Sequence, residues 1–279
     1  MTPSLPFVVA VFACPAAELP TELWQITPER KGIFAGNPPR TKDRAVLLIP
    51  GLKIHPFKPA YATRPEIREY QQASSELVRT LAKDSDVFAF GYAQTVSIDA
   101  IAQSPGLRAA VTQIKTAGYS DIVLIGHSAG GVIARIFAES HPESGVTKVI
   151  TVASPHDGSE VAKLKIGYHK VQAAFVESLS PNARSQAASS KLDDRLQIAC
   201  VVCKVKGIEA DGLVCLPSQW PPDCRKVGVP AVLVQTDHWH AMLAPSAIKT
   251  LSELAKEKLA RWSPEEVDKA QKVLLREQN

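Results

Sequence analysis

The 279-residue sequence has no apolar run long enough to cross a bilayer, no low-complexity linker and no internal repeat. A membrane-spanning helix needs about 20 consecutive apolar residues, so we expect no transmembrane segment. The sequence also has little excess charge, because its formal net charge is +4 and its lysines and arginines are scattered among acids. Nucleic-acid-binding surfaces concentrate basic residues on one face, and nucleic acid is therefore not an expected partner.

Cysteine is sparse, and four of the five cysteines lie between residues 200 and 224. The spacing of Cys200, Cys203, Cys215 and Cys224 argues against zinc, because CVVCKV has the pattern of a buried strand rather than of a zinc knuckle. Two interpretations remain. The cysteines are either small apolar side chains or disulfide partners, and Cys215 with Cys224, which bracket LPSQWPPD, is the favoured pair.

The amino-terminal segment, residues 1–43, contains the apolar stretch LPFVVAVFACPAAEL and has no Lys or Arg before Arg30. Residues 1–20 fit either a secretory signal with an unusually uncharged start or a buried edge strand. The sequence therefore leaves the compartment open between cytoplasmic and exported, and it carries no information on the oligomeric state.

Six apolar, β-branched runs bounded by turn residues predict strands. They lack the polar alternation of half-exposed strands, which is typical of a sheet covered on both faces. The runs are RAVLLIPG (44–51), DVFAFGY (86–92), DIVLIG (121–126), VTKVITVASP (146–155), LQIACVVCKVKG (196–207) and PAVLVQT (230–236). Helical patterns alternate with them, as parallel neighbours require. The predicted class is α/β, with a mostly parallel sheet in one domain over residues 44–262.

Helical patterns occupy the segments between these strands. They are residues 63–84 (with Ile67, Tyr70, Leu77 and Leu81 on one side), 104–118 and 129–142. A longer insertion, residues 157–195, also has helical spacing, from Val161 through Phe175 to Leu179. It predicts either a lid or cap over an apolar substrate or an ordinary helix packed on the sheet. Residues 263–279 open with a capping-box pattern, Ser263 and Glu266, and predict a terminal surface helix.

A serine lies between glycines in LIGHSAGG, residues 124–131, after a predicted buried strand and before a predicted helix. A sharp strand-to-helix turn strains its central residue and needs small neighbours. Gly126-His127-Ser128-Ala129-Gly130 matches the G-x-S-x-G pattern of such a turn. Ser128 is therefore a candidate nucleophile, which would need a base and an acid beside it.

Candidates for both partners follow later strands. Asp211 lies in a glycine-containing turn after the run that ends near residue 206, and two histidines, His238 and His240, follow the last strand. The carboxyl ends of parallel strands share one edge of the sheet, so we expect these groups near Ser128. Asp157 also follows a strand and is a rival for the acid. His127 and His156 are expected to support their loops rather than to react.

These motifs together resemble the α/β-hydrolase superfamily, and within it the bacterial lipases and esterases. The resemblance covers residues 44–262 and depends on LLIPGL, GHSAGG, TVASPHDGS, DGLV and DHWHAMLAP. It implies Ser128 as nucleophile, Asp211 as acid and a histidine at 238 or 240 as base. Members of this superfamily often have an apolar residue directly after the base, another four residues on and a proline seven residues on. Trp239, Met242 and Pro245 fit this pattern if the base is His238, so the resemblance favours His238.

The resemblance also implies two backbone donors for the oxyanion, the N–H groups of Leu52 and Ala129. Here the chain departs from many relatives, which have His-Gly where it has Pro50-Gly51. The geometry of this loop is therefore open.

The implied function is a serine carboxylic-ester hydrolase that acts through an acyl-enzyme on a small-molecule acyl ester, with no metal or organic cofactor. Two alternatives stay open. An acyltransferase or thioesterase would keep the acyl-enzyme and change the acceptor or the substrate. A catalytically silent α/β-hydrolase would serve as a binding module, although the serine, acid and histidine are all present in order. The fold does not determine acyl-chain or alcohol specificity.

Overall fold

The computed structural model describes residues 18–28, 33–34, 40–164, 167–186 and 194–275. Within these residues the chain forms one eight-stranded sheet of order β2-β1-β4-β3-β5-β6-β7-β8. The strands are β1 (Thr21–Ile26), β2 (Ile33–Phe34), β3 (Arg44–Ile49), β4 (Asp86–Tyr92), β5 (Asp121–His127), β6 (Val146–Val152), β7 (Gln197–Lys204) and β8 (Ala231–Gln235). All neighbouring pairs from β4 across to β8 are parallel, and β1 pairs antiparallel with β4 and β2.

All six strands predicted from apolar runs are present, in the α/β-hydrolase arrangement. Five of them are buried along most of their length, as a sheet covered on both faces requires, whereas β8, at the edge of the sheet, is buried at two of its five positions. Strand β1 and the two-residue strand β2 were not predicted. The apolar amino-terminal stretch in residues 1–17 and its signal or edge-strand interpretation lie outside the described residues.

Ten α-helices are described. They are α1 (Glu76–Leu81), α2 (Ile98–Ala102), α3 (Pro105–Thr116), α4 (Ala129–Ser140), α5 (Ala173–Glu177), α6 (Pro181–Gln186), α7 (Leu216–Gln219), α8 (Pro222–Lys226), α9 (Pro245–Lys256) and α10 (Pro264–Leu274). Helices α1 and α9 bury their apolar side chains against one face of the sheet, and α2, α3, α4 and α10 against the other. The two cores together hold the strand ends rigidly.

Helix ends follow the capping signals in the sequence. Ser104 accepts a hydrogen bond from the Leu107 N–H at the start of α3, where Pro105 occupies the first position. The side chain of Ser263 likewise accepts from the Glu266 N–H, and the Glu266 carboxylate accepts from the Ser263 N–H, which completes the predicted capping box. Helix α10 packs Val267 and Leu274 into the core and is thus more than a surface appendage.

The helix predicted over residues 63–84 is mostly wrong. Only α1 is α-helical there, preceded by a 3-10 turn at Glu69–Gln71. The side chain of Ser75 caps α1 by accepting from the Val78 N–H, so the helix begins at Glu76. The apolar spacing does reflect burial on one side, because Tyr70, Leu77 and Leu81 all lie in the core under the sheet.

The long helical spacing of the insertion is also wrong as a single helix. The described part contains 3-10 turns at Glu160–Leu164 and Lys170–Gln172 followed by α5 and α6, and Gly167 at φ +86 lies between the two turns. Phe175 is fully buried and stacks on Tyr92, whereas Val161 is exposed. Residues 165–166 and 187–193 of the insertion lie outside the described residues.

The favoured disulfide is wrong. Cys215 and Cys224 are both free thiols, as are Cys200 and Cys203. Cys215 is exposed at the N-cap of α7, whereas Cys224 is buried in α8 beside the Arg135 guanidinium, whose Nη1 lies 3.2 Å from the sulfur. Cys200 and Cys203 are interior side chains of β7, which is the apolar role that their sequence context indicated.

Candidate active site

Ser128 lies in a one-residue turn between the end of β5 and the start of α4. Its backbone has φ 54 and ψ −128, a region that side-chain-bearing residues rarely adopt. The turn is held by a hydrogen bond from the Ser128 N–H to Val152 O and by one from the Gly131 N–H to Ser128 O. The strain points the hydroxyl out of the sheet edge instead of along the strand.

The flanking glycines are needed for close packing. A Cβ on Gly126 would lie 2.3 Å from Gly130 O, and a Cβ on Gly130 would lie 2.2 Å from Ile49 O. Both contacts are with backbone atoms, which cannot move aside without shifting a strand or helix. The G-x-S-x-G spacing thus allows the nucleophile turn, defined here as residues 126–130, to sit directly against the end of β3.

Two other loops bring an imidazole and a carboxylate to Ser128. His238 Nε2 lies 3.0 Å from Ser128 Oγ, and His238 Nδ1 lies 2.7 Å from Asp211 Oδ2. Asp211 is fully buried, and its other oxygen accepts hydrogen bonds from two backbone N–H groups, of Leu213 and Val214. The three side chains therefore form one continuous hydrogen-bonded chain, with the carboxylate oriented by its own loop.

The two sequence candidates for the histidine occupy different places. His240 is exposed and its Nδ1 bonds Asp237, at 2.8 Å and 2.9 Å from the two carboxylate oxygens. His238 is the one within hydrogen-bond distance of Ser128. The rival acid, Asp157, makes no hydrogen bond or ion pair with either histidine in the described part of the chain, and burial raises the pKa of its carboxyl.

His127 holds the backbone of His238 by a hydrogen bond. Its Nε2 lies 2.9 Å from His238 O, and because a carbonyl only accepts, this nitrogen donates its proton. Burial and the neighbouring His238 lower the pKa of His127 to about 3, so its ring is neutral at pH 7. At the other end of the His238 backbone unit, the His238 N–H donates to Asp211 O at 2.9 Å. The backbone of His238 is therefore held at both ends.

The two candidate oxyanion donors come from different elements, Ala129 from the start of α4 and Leu52 from the loop after β3. Ala129 is the first residue of α4, where a helix leaves its N–H groups without an intrahelical acceptor. Leu52 follows Gly51, and a Cβ on Gly51 would lie 2.6 Å from Ser128 Cβ and 3.2 Å from Ser128 Oγ. Among the described residues, no acceptor is recorded for the Leu52 N–H. The turn at Pro50-Gly51 thus lies directly against the serine, and Leu52 is the next residue along the chain.

A set of buried polar side chains that sequence reasoning missed holds the loop after β3. Gly51 O accepts from Gln94 Nε2 at 3.0 Å and from Arg68 Nη2 at 3.1 Å, and Pro50 O accepts from the Tyr92 hydroxyl at 2.5 Å. These residues come from two separate segments, Arg68 from the stretch before α1 and Tyr92 and Gln94 from the end of β4 and just after it. The signal available in the sequence was only that Gln94 closely follows a predicted strand, which points to the same sheet edge as Ser128.

A second glutamine, from the insertion, joins this set. Gln172 Nε2 donates to Lys53 O at 2.8 Å and to Gln94 Oε1 at 3.1 Å, and Gln172 Oε1 accepts from the His55 N–H at 3.1 Å. The Gln172 side chain is fully buried. Residues 50–55, referred to below as the oxyanion loop, are therefore tied to the insertion as well as to the sheet.

No cluster of three or more potential metal-ligating side chains occurs in the described ranges. None of the helices in these ranges is both long and apolar enough for a bilayer crossing.

Comparisons with known proteins agree with this fold. The family model described as a PGAP1-like alpha/beta domain matches residues 41–211, which is more than half of the chain. The Bacillus licheniformis lipase BlEst2 in its mature form superposes with a TM-score of 0.60 at 16% identity, over 80% of this chain and 97% of that chain. An esterase of the bacterial hormone-sensitive lipase family has a TM-score of 0.51 at 16% identity, over 86% and 84% of the two chains. The search of curated proteins finds no match.

Proposed function

This chain belongs to the PGAP1-like alpha/beta domain family, an α/β-hydrolase family, and on that premise we propose that it is a serine carboxylic-ester hydrolase with Ser128 as its nucleophile. The observation that carries the proposal is the hydrogen-bonded chain from Ser128 Oγ through His238 to Asp211. A serine hydroxyl is a weak nucleophile at neutral pH, and such a chain supplies the base that it needs.

In the proposed reaction Ser128 Oγ attacks the ester carbonyl carbon while His238 Nε2 takes its proton. The buried Asp211 carboxylate stabilises the resulting imidazolium, and it holds the ring in the tautomer whose Nε2 can accept. The N–H groups of Leu52 and Ala129 bind the negative oxygen. His238 then gives the proton to the leaving alkoxide, which leaves an acyl-enzyme. Water then attacks the acyl carbon while His238 Nε2 takes its proton. The bond from Ser128 Oγ to the acyl carbon breaks as that proton passes to Ser128 Oγ, which releases the carboxylic acid and restores the free serine.

The proposed substrate is a small-molecule acyl ester, with the acyl chain against the insertion at residues 157–195. The solved proteins that share the fold include a lipase and esterases by their names, and the insertion contributes Phe175 and Gln172 to the surroundings of the oxyanion loop. No metal or organic cofactor enters the proposed steps, because the His238 imidazole performs all the proton transfers and Asp211 stabilises its charged form.

A fluorophosphonate probe tests this proposal, because it reacts with a serine only when the hydroxyl is activated. We expect the purified protein to be labelled at Ser128, as located by peptide mapping, and to hydrolyse short- and medium-chain p-nitrophenyl esters. Ser128→Ala should abolish labelling and lower ester turnover by about 10⁴-fold or more.

The matched control is Ser154→Ala, a buried serine at the end of the neighbouring strand whose Oγ lies 3.2 Å from Val152 O. It should leave Ser128 labelled. A folded parent protein that neither reacts with the probe nor hydrolyses any ester would overturn the proposal and favour the silent binding module.

A further inference from the structure

The peptide between Gly51 and Leu52 is oriented by its carbonyl. In a trans peptide the C=O of one residue and the N–H of the next point in opposite directions. Gly51 C=O points at Gln94 and Arg68, which both donate to it. The Leu52 N–H must therefore point away from these two side chains. Gly51 lies directly against Ser128, because a Cβ there would lie 2.6 Å from Ser128 Cβ, and the N–H of the next residue therefore borders the space beside the serine hydroxyl.

Gln94 can hold this peptide only if its own amide group is fixed, because a free amide group rotates about its last bond. Its Oε1 accepts from the Lys53 N–H at 3.1 Å and from Gln172 Nε2 at 3.1 Å, while its Nε2 donates to Gly51 O. Each of these partners is compatible with one orientation of the amide and not with the flipped one. Gln94 is also almost completely buried, so water does not compete for these bonds.

Gln172 supplies the remaining constraint, from a segment that lies far away in the sequence. Its amide spans the oxyanion loop, because it accepts from the His55 N–H and donates to Lys53 O. A buried amide with all these partners in place is rigid, and removing one end leaves unpaired polar groups in the interior. The position of the loop therefore depends on the insertion being docked.

We propose that Gln172 of the insertion and Gln94 are positioning residues that together hold the Leu52 N–H toward the oxyanion formed at Ser128. Neither side chain touches the reacting atoms. Their effect passes through the Gly51–Leu52 peptide. This inference rests on the ester hydrolase proposed above and adds to it a role for the insertion, which sets the transition-state binding site in addition to covering substrate.

The test measures steady-state ester hydrolysis by the full-length protein with Gln172→Met, which keeps the shape of the side chain and removes all three hydrogen bonds. Direct loss of one oxyanion donor typically lowers kcat by about 10²- to 10³-fold. Because the donor is here displaced and not removed, we expect kcat to fall about 10- to 100-fold with KM little changed. Gln94→Met should have the same effect, and the double variant should fall by less than the product of the two.

A second substrate distinguishes the positioning role of Gln172 from a purely structural one. It is the thionoester in which sulfur replaces the carbonyl oxygen. Sulfur is a weak hydrogen-bond acceptor, so an aligned oxyanion site discriminates against the thionoester. In Gln172→Met the ratio of the ester rate to the thionoester rate should fall several-fold. Gln25→Met, the same exchange at a buried glutamine in β1, should leave both kcat and this ratio unchanged.

The possible results separate the two proposals. If the parent protein hydrolyses esters and both Met variants keep the parent kcat and rate ratio, the positioning role is overturned while the proposed function stands. If the parent protein is neither labelled nor active, the proposed function fails and this inference fails with it. Should Gln172→Met unfold at the assay temperature, Gln172→Glu replaces it. The carboxylate of that variant keeps an acceptor for the His55 N–H and loses the donor to Gln94, so the same fall in kcat and in the ratio supports the proposal.

Discussion

The nucleophile turn and the oxyanion loop are neighbours at one edge of the sheet, but they are held in place by different means. The nucleophile turn is shaped by residues within it, since glycines at 126 and 130 allow backbone contacts that a side chain would prevent. The oxyanion loop is held by side chains from distant segments, such as Gln94, Arg68 and Gln172. A local motif thus accounts for one half of the site, and tertiary structure for the other.

The largest effect is expected from adding a side chain to the nucleophile turn. Gly130→Ala would put a Cβ 2.2 Å from Ile49 O and 2.6 Å from Pro50 O, so β3 and α4 must separate. We expect a loss of about 2 kcal/mol or more in the free energy of unfolding, measured by urea denaturation. Displacement of Ser128 should lower kcat/KM about 100-fold.

Gly118→Ala is the matched control. Gly118 also has a positive φ, of 90°, but among the described residues a Cβ there would meet only the Arg40 side chain, at 3.4 Å. It should cost about 1 kcal/mol of stability through backbone strain and leave kcat/KM unchanged. Equal losses of activity in the two alanine variants would contradict the account of the nucleophile turn.

The nucleophile turn should also respond to acid through His127, whose pKa is lowered to about 3 by burial. Unfolding restores a pKa near 6.5, so below about pH 6.5 the unfolded chain binds a proton that the folded chain does not. The stability contribution is therefore complete above about pH 6.5 and declines as the pH falls toward 3. Between about pH 7 and about pH 4.5 we expect this residue to account for a loss of about 2 kcal/mol.

His127→Gln separates this contribution, because glutamine cannot titrate yet still has an N–H to donate to His238 O. The fall in urea-unfolding free energy between about pH 7 and about pH 4.5 should be smaller in the variant by that amount. The same pH dependence in both proteins would show that His127 does not titrate on unfolding as described.

In the oxyanion loop a single contact should matter less, because several side chains share its support. Arg68→Met removes the donor to Gly51 O and leaves Gln94 in place. We expect kcat for ester hydrolysis to fall about tenfold with little change in KM, as for an interaction made only in the transition state. Arg64→Met, at an exposed arginine that lies over the Tyr61 ring, should keep the parent kcat.

The smallest effect is expected where the loop meets β4. Tyr92→Phe removes the hydroxyl that donates to Pro50 O and should cost about 1 kcal/mol in the free energy of unfolding. Tyr70→Phe is the matched comparison, because that buried hydroxyl lies near the Gly51 backbone but has no partner at hydrogen-bonding distance and angle within the described part of the chain. Its stability should be unchanged or slightly higher. A larger loss in Tyr70→Phe than in Tyr92→Phe would reverse the assignment.

The accuracy of the sequence predictions for strands and helices also depends on whether local sequence or long-range contacts determine the element. Strand β4 matches its apolar run at both ends, because burial on two faces leaves only apolar residues between Asp86 and Tyr92. Strand β1 was missed, because it has exposed as well as buried positions and its pairing with β4 is a long-range event. The helix over 63–84 was overextended because apolar spacing records burial and not backbone conformation.

The residues of the candidate site show the same difference between a local sequence pattern and long-range contacts. Ser128 and its glycines form a local pattern with a steric cause, and chain order narrowed the acid and the histidine to a few residues. Choosing between His238 and His240 needed the path of the loop after β8. Gln172 could not have been identified from sequence, because a glutamine in a polar segment looks the same whether it is solvated or buried, and its partners are mostly backbone atoms whose positions only the fold determines.

One consequence concerns exchanging parts between related enzymes. His238 is bonded to Asp211 twice, through its side chain and through its main-chain N–H, and its carbonyl is bonded to His127. The loops after β7 and β8 therefore behave as a single mechanical unit attached to the nucleophile turn. A chimera that replaces residues 205–215 alone would receive a new carboxylate and carbonyl at position 211 without the matching His238, whose ring and main-chain N–H bond these two groups. Grafts should transfer residues 205–215 and 236–241 as one cassette.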